Sequence, residues 1–310
     1  MLIGLYPNVR NKIKLSIPWI IVLGMYAMIA LGAGFILKEV MADTIQPSVT
    51  VGNVAPTVGT VILNGGNDIT VVENTYVTIS GTTTVSDSNG YSDIVSVTST
   101  LYLNNTTCSS GLADPNWCYY ISSCATSNCS GNSCDVTCSA NVWFIAEPTS
   151  PTTSYPGADW QMDITAVDSG NNSDTGTTSQ ELLTLYAFDI DGSINYGTIN
   201  PGGTSTEKQT HATNTGNYEI DLALSGVDMD DGAGHTIPVG QQKYSSSSNM
   251  GDWIGTALTT TPTPYNLDLP KPTATTSNSY DDLYWMIKIP DPQYPGTYSG
   301  TNTVSAVDAI

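Results

Sequence analysis

Hydrophobic and polar residues alternate in short runs along most of the chain. Apolar side chains stand at every second position in residues 160–166, and again in residues 220–224. This period of two is typical of strands with one buried and one solvated face. Glycine, proline, asparagine and aspartate interrupt the runs at short intervals, as in β-sandwiches and barrels. The pattern therefore predicts an all-β fold after residue 42.

The strand-like runs fall into two groups, which we interpret as two tandem β-sandwich domains at residues 56–184 and 185–310. Residues 43–55 are predicted to be a linker, and residues 1–42 a short stub followed by a transmembrane helix or signal peptide. In the second group, the proline- and threonine-rich stretch 259–279 is predicted to be an irregular crossing loop. Tyr298, Val304 and Ala306 are assigned to a closing strand.

The apolar run that begins at Leu15 and ends at Leu37 carries no charge and is long enough to span a bilayer as a helix. Three basic residues between positions 10 and 14 precede it, so the positive-inside rule exports everything that follows. Cleavage after Ala42 is the alternative, because small residues lie there. The sequence predicts either a membrane-anchored chain with extracellular domains or a secreted one.

The charge is strongly acidic, with 8 basic against 28 acidic residues and a net charge of −20. Such a surface repels nucleic acid, which we exclude as a partner, and it attracts cations, including calcium. The alternative is that the acidity only keeps an exposed surface soluble.

All six cysteines lie within residues 108–138: Cys108, Cys118, Cys124, Cys129, Cys134 and Cys138. An even number of clustered cysteines in an exported chain predicts three disulfides, with 15 possible connectivities. A zinc site would normally need paired C-x-x-C knuckles or nearby histidines, and neither occurs. Because the neighbouring residues are small and polar, we interpret 108–138 as a disulfide-stapled loop inserted into the first domain.

Three aromatic residues, Trp117, Tyr119 and Tyr120, stand in this segment. Exposed rings on a rigid loop would form a contact surface for a ligand, such as a glycan, whose sugar faces stack on aromatic rings. Alternatively, the rings pack the loop against the sandwich.

Oxygen-bearing side chains surround Gly90 in the stretch VSDSNGYSDI, where Asp87, Asn89 and Asp93 lie at alternate and nearby positions. Calcium binds six to eight oxygens at flexible angles, so we predict a structural Ca²⁺ site here. It is not an EF-hand, and it needs ligands from elsewhere: Glu73, or Asp168 and Asn171 from a later hairpin. The alternative is a polar turn in which the side chains cap the local backbone.

A second candidate calcium site lies in the stretch DIDGSIN, between the two predicted domains. Its ligands would be Asp189, Asp191 and Asn195, and a bound ion would stiffen the joint between the domains. Turn capping is again the alternative.

The stretches VSDSNGYSDIVSVT and WQMDITAVDSGNN together resemble the bacterial Ig-like, cadherin-like and PKD-like modules of surface proteins. The second domain, with INYGTINPGG, NTGN and PGTY before its last strand, resembles β-sandwich modules of prokaryotic envelope and filament proteins. These resemblances imply a β-sandwich fold and a place on the cell surface. The large cysteine-rich insert departs from the simplest modules.

Catalytic signatures are missing from the sequence. No G-x-S-x-G turn, phosphate-binding loop, dinucleotide fingerprint or H-E-x-x-H helix occurs. We therefore expect no enzymatic activity. The sequence predicts an exported structural or adhesion protein that displays the stapled loop or forms part of a surface layer or filament. Its partners would be surface proteins, further copies of itself or glycans. A carbohydrate- or receptor-binding module is the alternative, and a secreted hydrolase is a third.

Overall fold

The computed structural model describes residues 44–251, 253–277 and 279–309. Residues 44–52 are exposed and have no secondary structure. The predicted span between Leu15 and Leu37 lies outside the described residues. Among the residues that are described, no helix has the length and hydropathy to cross a membrane. The prediction of an all-β chain is confirmed, because nearly all the regular elements from residue 57 onwards are strands.

Nine antiparallel strands form the first sandwich, residues 57–180. They are β1 (Thr57–Val58), β2 (Ile62–Leu63), β3 (Tyr76–Ser86), β4 (Ile94–Leu103), β5 (Cys118–Ile121), β6 (Ala125–Ser130), β7 (Ser133–Trp143), β8 (Trp160–Asp168) and β9 (Ser173–Gln180). One sheet has the order β1-β3-β7-β6, with β2 also paired to β3, and the other has the order β5-β4-β8-β9. Single 3₁₀ turns occupy Asn64–Gly66 and Tyr91–Asp93.

The core of the first sandwich lies between its two sheets. Trp160, Met162 and Ile164 are fully buried on β8, as their alternation predicts. Gly81, on β3 of the opposite sheet, lies against Met162. A Cβ atom added to Gly81 would lie 2.1 Å from the Met162 sulfur. Gly81 therefore leaves room for the Met162 side chain in the facing layer.

Ten strands form the second sandwich, residues 188–308. They are β10 (Phe188–Ile190), β11 (Lys208–Asn214), β12 (Ile220–Gly226), β13 (Met229–Asp230), β14 (Thr236–Ile237), β15 (Gln242–Ser245), β16 (Thr256–Ala257), β17 (Thr263–Leu269), β18 (Ser279–Ile287) and β19 (Asn302–Asp308). The sheet β10-β11-β18-β15-β16 faces the sheet β17-β12-β19, and β13 and β14 form a separate hairpin. A 3₁₀ turn occupies Val239–Gln241.

The second core is built around Trp285 and Tyr244 from one sheet and the leucines of β12 from the other. Every residue of β12 is buried, which includes Asp221. The Asp221 carboxylate accepts hydrogen bonds from the backbone N–H groups of Leu267 and Asp268, at 2.7 and 2.9 Å. These bonds compensate for the burial of a charged group.

Two expectations about the second sandwich are wrong. The proline- and threonine-rich stretch is not irregular throughout, because β17 lies inside it. Pro264 is tolerated there because β17 is an edge strand that pairs only with β12. Tyr298 is not in the closing strand, which begins at Asn302, and its hydroxyl donates instead to the Tyr294 carbonyl at 2.9 Å.

The cysteine-rich segment is also not a loop throughout, because β5, β6 and much of β7 lie within or next to it. Along β7, Cys134, Val136 and Cys138 are buried, and the polar residues between them are exposed. The period of two is present in the sequence, but its buried positions hold small side chains. The polar composition of this segment therefore does not reveal that β7 is a central strand of its sheet, paired with both β3 and β6.

Polar contacts join the two sandwiches. The Lys271 ammonium lies 2.7 Å from a Glu147 carboxylate oxygen and donates to the Ile145 carbonyl at 2.8 Å. Burial lowers the pKa of Lys271, and the attraction of Glu147 opposes that shift. Residues 53–310 group as one unit around two hydrophobic cores. A domain boundary at residues 184–185 stays a prediction.

Candidate metal centre

The turn between β3 and β4 carries the first predicted ligands. Asp87 follows β3 directly, and one of its carboxylate oxygens accepts a hydrogen bond from the Asn89 N–H at 2.7 Å. Gly90 follows with a φ of 110°, a conformation that glycine adopts without strain. The 3₁₀ turn Tyr91–Asp93 then leads into β4. The turn thus crosses from one sheet to the other and places two aspartates at the same end of the sandwich.

Asp168 reaches the same place from the end of β8. Strand β4 pairs with β8 so that Ile94 lies opposite Asp168, which makes Asp93 its near neighbour. The Ser169 N–H donates to the Asp93 carbonyl at 2.9 Å, and the Ser169 hydroxyl donates to the Asp93 carboxylate. The pairing of these strands therefore joins the predicted turn to the β8–β9 hairpin.

Asp87, Asp93 and Asp168 form a cluster that we call the three-aspartate cluster. Each contributes a carboxylate oxygen, and the three oxygens lie within 4.8 Å of one another. Asp87 is 1% exposed and Asp168 is fully buried. Asp87 Oδ2 and Asp93 Oδ2 are both buried and accept no hydrogen bond. In the part of the chain that the structure describes, no other group of three or more acidic, histidine or cysteine side chains meets the same geometry.

The electrostatics of Asp168 differ from those of an isolated buried acid. Burial alone would raise the pKa of Asp168, but hydrogen bonds outweigh it and lower this pKa. The donors are the side chain and N–H of Asn172, the Asn53 side chain and the Gly170 N–H. These donors hold Asp168 as a carboxylate in the cluster.

Two other residues predicted for this site have other partners. The Asn89 side-chain oxygen accepts from the Val54 N–H at 2.9 Å, and Glu73 accepts from the Thr215 hydroxyl at 3.0 Å. Sequence reasoning missed Asn53, whose amide donates to Asp168 Oδ2 at 2.8 Å. No signal in the sequence marks this residue, because it falls in the predicted linker.

The second predicted site has the geometry of capped turns. Asp189 accepts from the Ile190 N–H, Asp191 from the His211 N–H and Asn195 from the Gly197 N–H, each at 2.9 Å. Asp189 and Asn195 therefore cap the backbone close to them, which is the alternative that the sequence left open, whereas Asp191 bonds to the adjacent strand. A calcium ion at this place stays a prediction.

The three predicted contact aromatics differ in exposure. Trp117 is 36% and Tyr120 39% exposed, but Tyr119 packs against Trp160 with ring centroids 5.8 Å apart. The Tyr119 hydroxyl donates to the Pro115 carbonyl at 2.6 Å and accepts from the Trp143 N–H at 2.9 Å. Tyr119 is thus a packing residue rather than a contact for a ligand, because its hydroxyl already has partners on both sides. Trp117 borders an open depression of about 830 Å³.

The six cysteines pair as three disulfides: Cys108–Cys118, Cys124–Cys138 and Cys129–Cys134. Cys129–Cys134 joins β6 to β7, and Cys124–Cys138 joins β7 to the residue that directly precedes β6. Cys108–Cys118 closes the turn that leads into β5. Every bridge joins residues no more than 14 apart. The disulfides therefore reinforce local hairpins of the first sandwich.

Comparisons with known proteins leave the family open. No protein family matches this sequence, and no curated protein matches it. The solved structures that resemble it include the CsuC–CsuE chaperone–tip adhesion subunit pre-assembly complex from archaic chaperone-usher Csu pili of Acinetobacter baumannii, at 12% identity and a TM-score of 0.35. That match covers 81% of this chain and 99% of the other.

Titin domains Z1Z2 in complex with telethonin are also similar, at 13% identity and a TM-score of 0.24, covering 83% of this chain and 95% of the other. At these TM-scores neither likeness carries an argument about function or partners.

Proposed function

We propose that this chain is an exported structural or adhesion protein of the cell surface. The observation that carries the proposal is the pairing of all six cysteines in an all-β chain, since stable disulfides form in oxidising compartments and are rare in the cytosol. The apolar run from Leu15 to Leu37 and its basic flank support export. Its partners would be other surface proteins, further copies of the chain or glycans.

Export can be tested by producing the full chain in a bacterial host and treating intact cells with protease and with a maleimide that does not cross membranes. We expect the protease to degrade the chain, and the maleimide to label no cysteine until a reductant is added. A matched variant with Arg10, Lys12 and Lys14 all changed to Glu reverses the charge bias, and should leave the cysteines reduced inside the cell. Free thiols and protease resistance in the unaltered chain would refute the proposal.

A structural or adhesive role needs a second measurement, because exported chains have many functions. The purified chain is expected either to assemble into larger particles by light scattering or to bind intact cells. A chain that stays monomeric and binds no cells contradicts this part of the proposal while leaving export untouched.

A glycan-binding module is the second candidate, favoured by the open depression beside Trp117. Amide and carboxylate side chains of Asn104, Asn105 and Asp114 line it next to the indole ring, a combination that can hydrogen-bond and stack on a sugar. We expect Trp117→Ala to abolish binding on a glycan array, and the neighbouring Tyr120→Ala to preserve it. An unaltered chain that binds no glycan would eliminate this candidate.

A further inference from the structure

Two carboxylate oxygens in the first sandwich are left without a partner. Burying a charged oxygen is costly unless a hydrogen-bond donor or a positive charge lies beside it. Asp87 Oδ2 and Asp93 Oδ2 have no such donor. Among the described residues, no ion pair joins a basic side chain to Asp87, Asp93 or Asp168. The cluster thus concentrates negative charge at a place where a cation would neutralise it.

The chemistry of the cluster suits calcium. Its donors are carboxylate oxygens on turns rather than a rigid octahedral frame, and calcium accepts irregular sets of oxygen ligands more readily than magnesium does. Thiolate and imidazole ligands, which zinc prefers, do not belong to the cluster.

The same two turns hold the chain where it enters the first sandwich, at residues 53–58, which we call the leading segment. Asn53 donates to Asp168, and the Val54 N–H donates to Asn89, whose own N–H is bonded to Asp87. The Asn53 bond therefore ends on a member of the three-aspartate cluster, and the Val54 bond ends on a residue that is itself bonded to a member. The position of the leading segment therefore depends on how the cluster is arranged.

Gly170 provides the space for this attachment. A Cβ atom added to Gly170 would lie 2.2 Å from the Asn53 amide nitrogen, closer than any real contact. A side chain here would displace the Asn53 amide without removing any of the three carboxylates. This gives a way to separate ion binding from attachment of the leading segment.

We propose that Asp87, Asp93 and Asp168 bind Ca²⁺, and that the ion fastens the leading segment to the first sandwich. The ion holds the β3–β4 turn and the β8–β9 hairpin at the separation that Asn53 and Val54 bridge. Without the ion, repulsion between the three carboxylates spreads the two turns, and both bonds to the leading segment are lost. The proposal is independent of the cell-surface role.

The test uses the purified full chain and calcium alone as the probe. Isothermal titration calorimetry measures binding, and hydrogen exchange with mass spectrometry measures protection of residues 53–58 in calcium and in chelator. We expect one calcium ion to bind, magnesium to bind at least tenfold more weakly, and exchange at the Val54 amide to slow at least tenfold in calcium.

Four variants separate the two parts of the proposal. Asp87→Asn and Asp168→Asn should each abolish calcium binding, and if one fails to fold, the other serves. Asp174→Asn is the matched control, because Asp174 accepts from the Val58 N–H in the same segment but lies outside the cluster. It should bind calcium normally. Gly170→Ala should bind calcium and yet lose the protection of Val54.

Each contrary outcome refutes a defined part. If the unaltered chain binds no calcium at millimolar concentration, the metal site is refuted. If calcium binds but exchange at Val54 is unchanged, the fastening is refuted while the site stands. Neither outcome changes the maleimide result that tests export.

Discussion

The two sandwiches are stabilised by different means, although both are antiparallel and similar in size. The first contains all three disulfides and the three-aspartate cluster, and its β7 buries small side chains such as Cys134, Val136 and Cys138. The second contains no cysteine and packs Trp285 against Tyr244, with ring centroids 5.7 Å apart. Two of the three bridges of the first sandwich thus attach to β7, whose buried side chains are small, whereas β8 in the opposite sheet buries Trp160, Met162 and Ile164 without a bridge.

The largest expected effects come from emptying either core. Trp160→Ala and Trp285→Ala each remove a side chain that is at most 1% exposed, which should cost about 3–5 kcal/mol of unfolding free energy. We expect two urea transitions in the unaltered chain, with Trp160→Ala lowering one and Trp285→Ala the other. If each variant shifted a single shared transition, the two sandwiches would unfold as one cooperative unit rather than as separately stabilised domains.

Disulfide removal should affect only the first sandwich. Replacing Cys124 and Cys138 by alanine should lower its stability by about 3 kcal/mol, and replacing Cys129 and Cys134 by about 2 kcal/mol, because the second pair closes a shorter loop. Urea unfolding of both double variants measures this difference. An equal loss in the second transition would contradict the local role of the bridges.

The ion pair between the sandwiches tests how strongly they are coupled. Lys271→Met leaves the Glu147 carboxylate, which is 13% exposed, without its partner, and should cost about 2 kcal/mol. Adding Glu147→Leu to the Lys271→Met chain removes the unpaired charge as well, and should recover most of the lost unfolding free energy. We expect Lys271→Met to change the difference between the midpoint urea concentrations of the two unfolding transitions. A Lys271→Met chain as stable as the unaltered one would show that the contact adds nothing.

The smallest effect is a pH dependence in the second sandwich. Burial would raise the pKa of Asp231, but hydrogen bonds from the His235 side chain and from the backbone N–H groups of His235 and Ala233, together with the imidazole charge, lower it to about 2. A depressed carboxyl pKa stabilises the fold above the unfolded value near 4, and this stabilisation is lost as the pH falls towards 2.

Comparison with Asp231→Asn isolates this contribution. The variant should unfold at a slightly lower temperature than the unaltered chain at pH 7, and most of this difference should be gone at pH 2. A difference that persists at pH 2 would assign the effect to lost packing rather than to charge.

The sequence predicts the strands best where their buried side chains are large. The alternation of Trp160, Met162 and Ile164 identifies β8, and Leu283 and Trp285 identify β18. The same alternation in β7 is hidden, because cysteine, alanine and valine beside serine and threonine resemble an unstructured segment. In β12 the alternation identifies the strand but not its complete burial, because Asp221, Ala223 and Ser225 on its second face are buried as well.

The candidate site is only partly predictable for a different reason. Asp87, Asn89 and Asp93 are close in sequence, so a polar turn is evident. Which distant acid joins them depends on the pairing of β4 with β8, and Asp168 and Glu73 are equally plausible until that register is known. The contribution of Asn53 depends on a close approach that only the absence of a Gly170 side chain allows.

The short spans of the disulfides have a mechanical consequence. If the chain is stretched from its two ends, residues inside each closed loop cannot extend. The Cys124–Cys138 bridge, with a sequence separation of 14, encloses Cys129–Cys134, and the Cys108–Cys118 bridge, with a separation of 10, closes a separate loop before it. Together they withhold roughly 80 Å of contour length from the first sandwich. When the molecule unfolds under tension, the first sandwich would therefore lengthen less than its residue count predicts. Reducing the disulfides would add the withheld length to the extension.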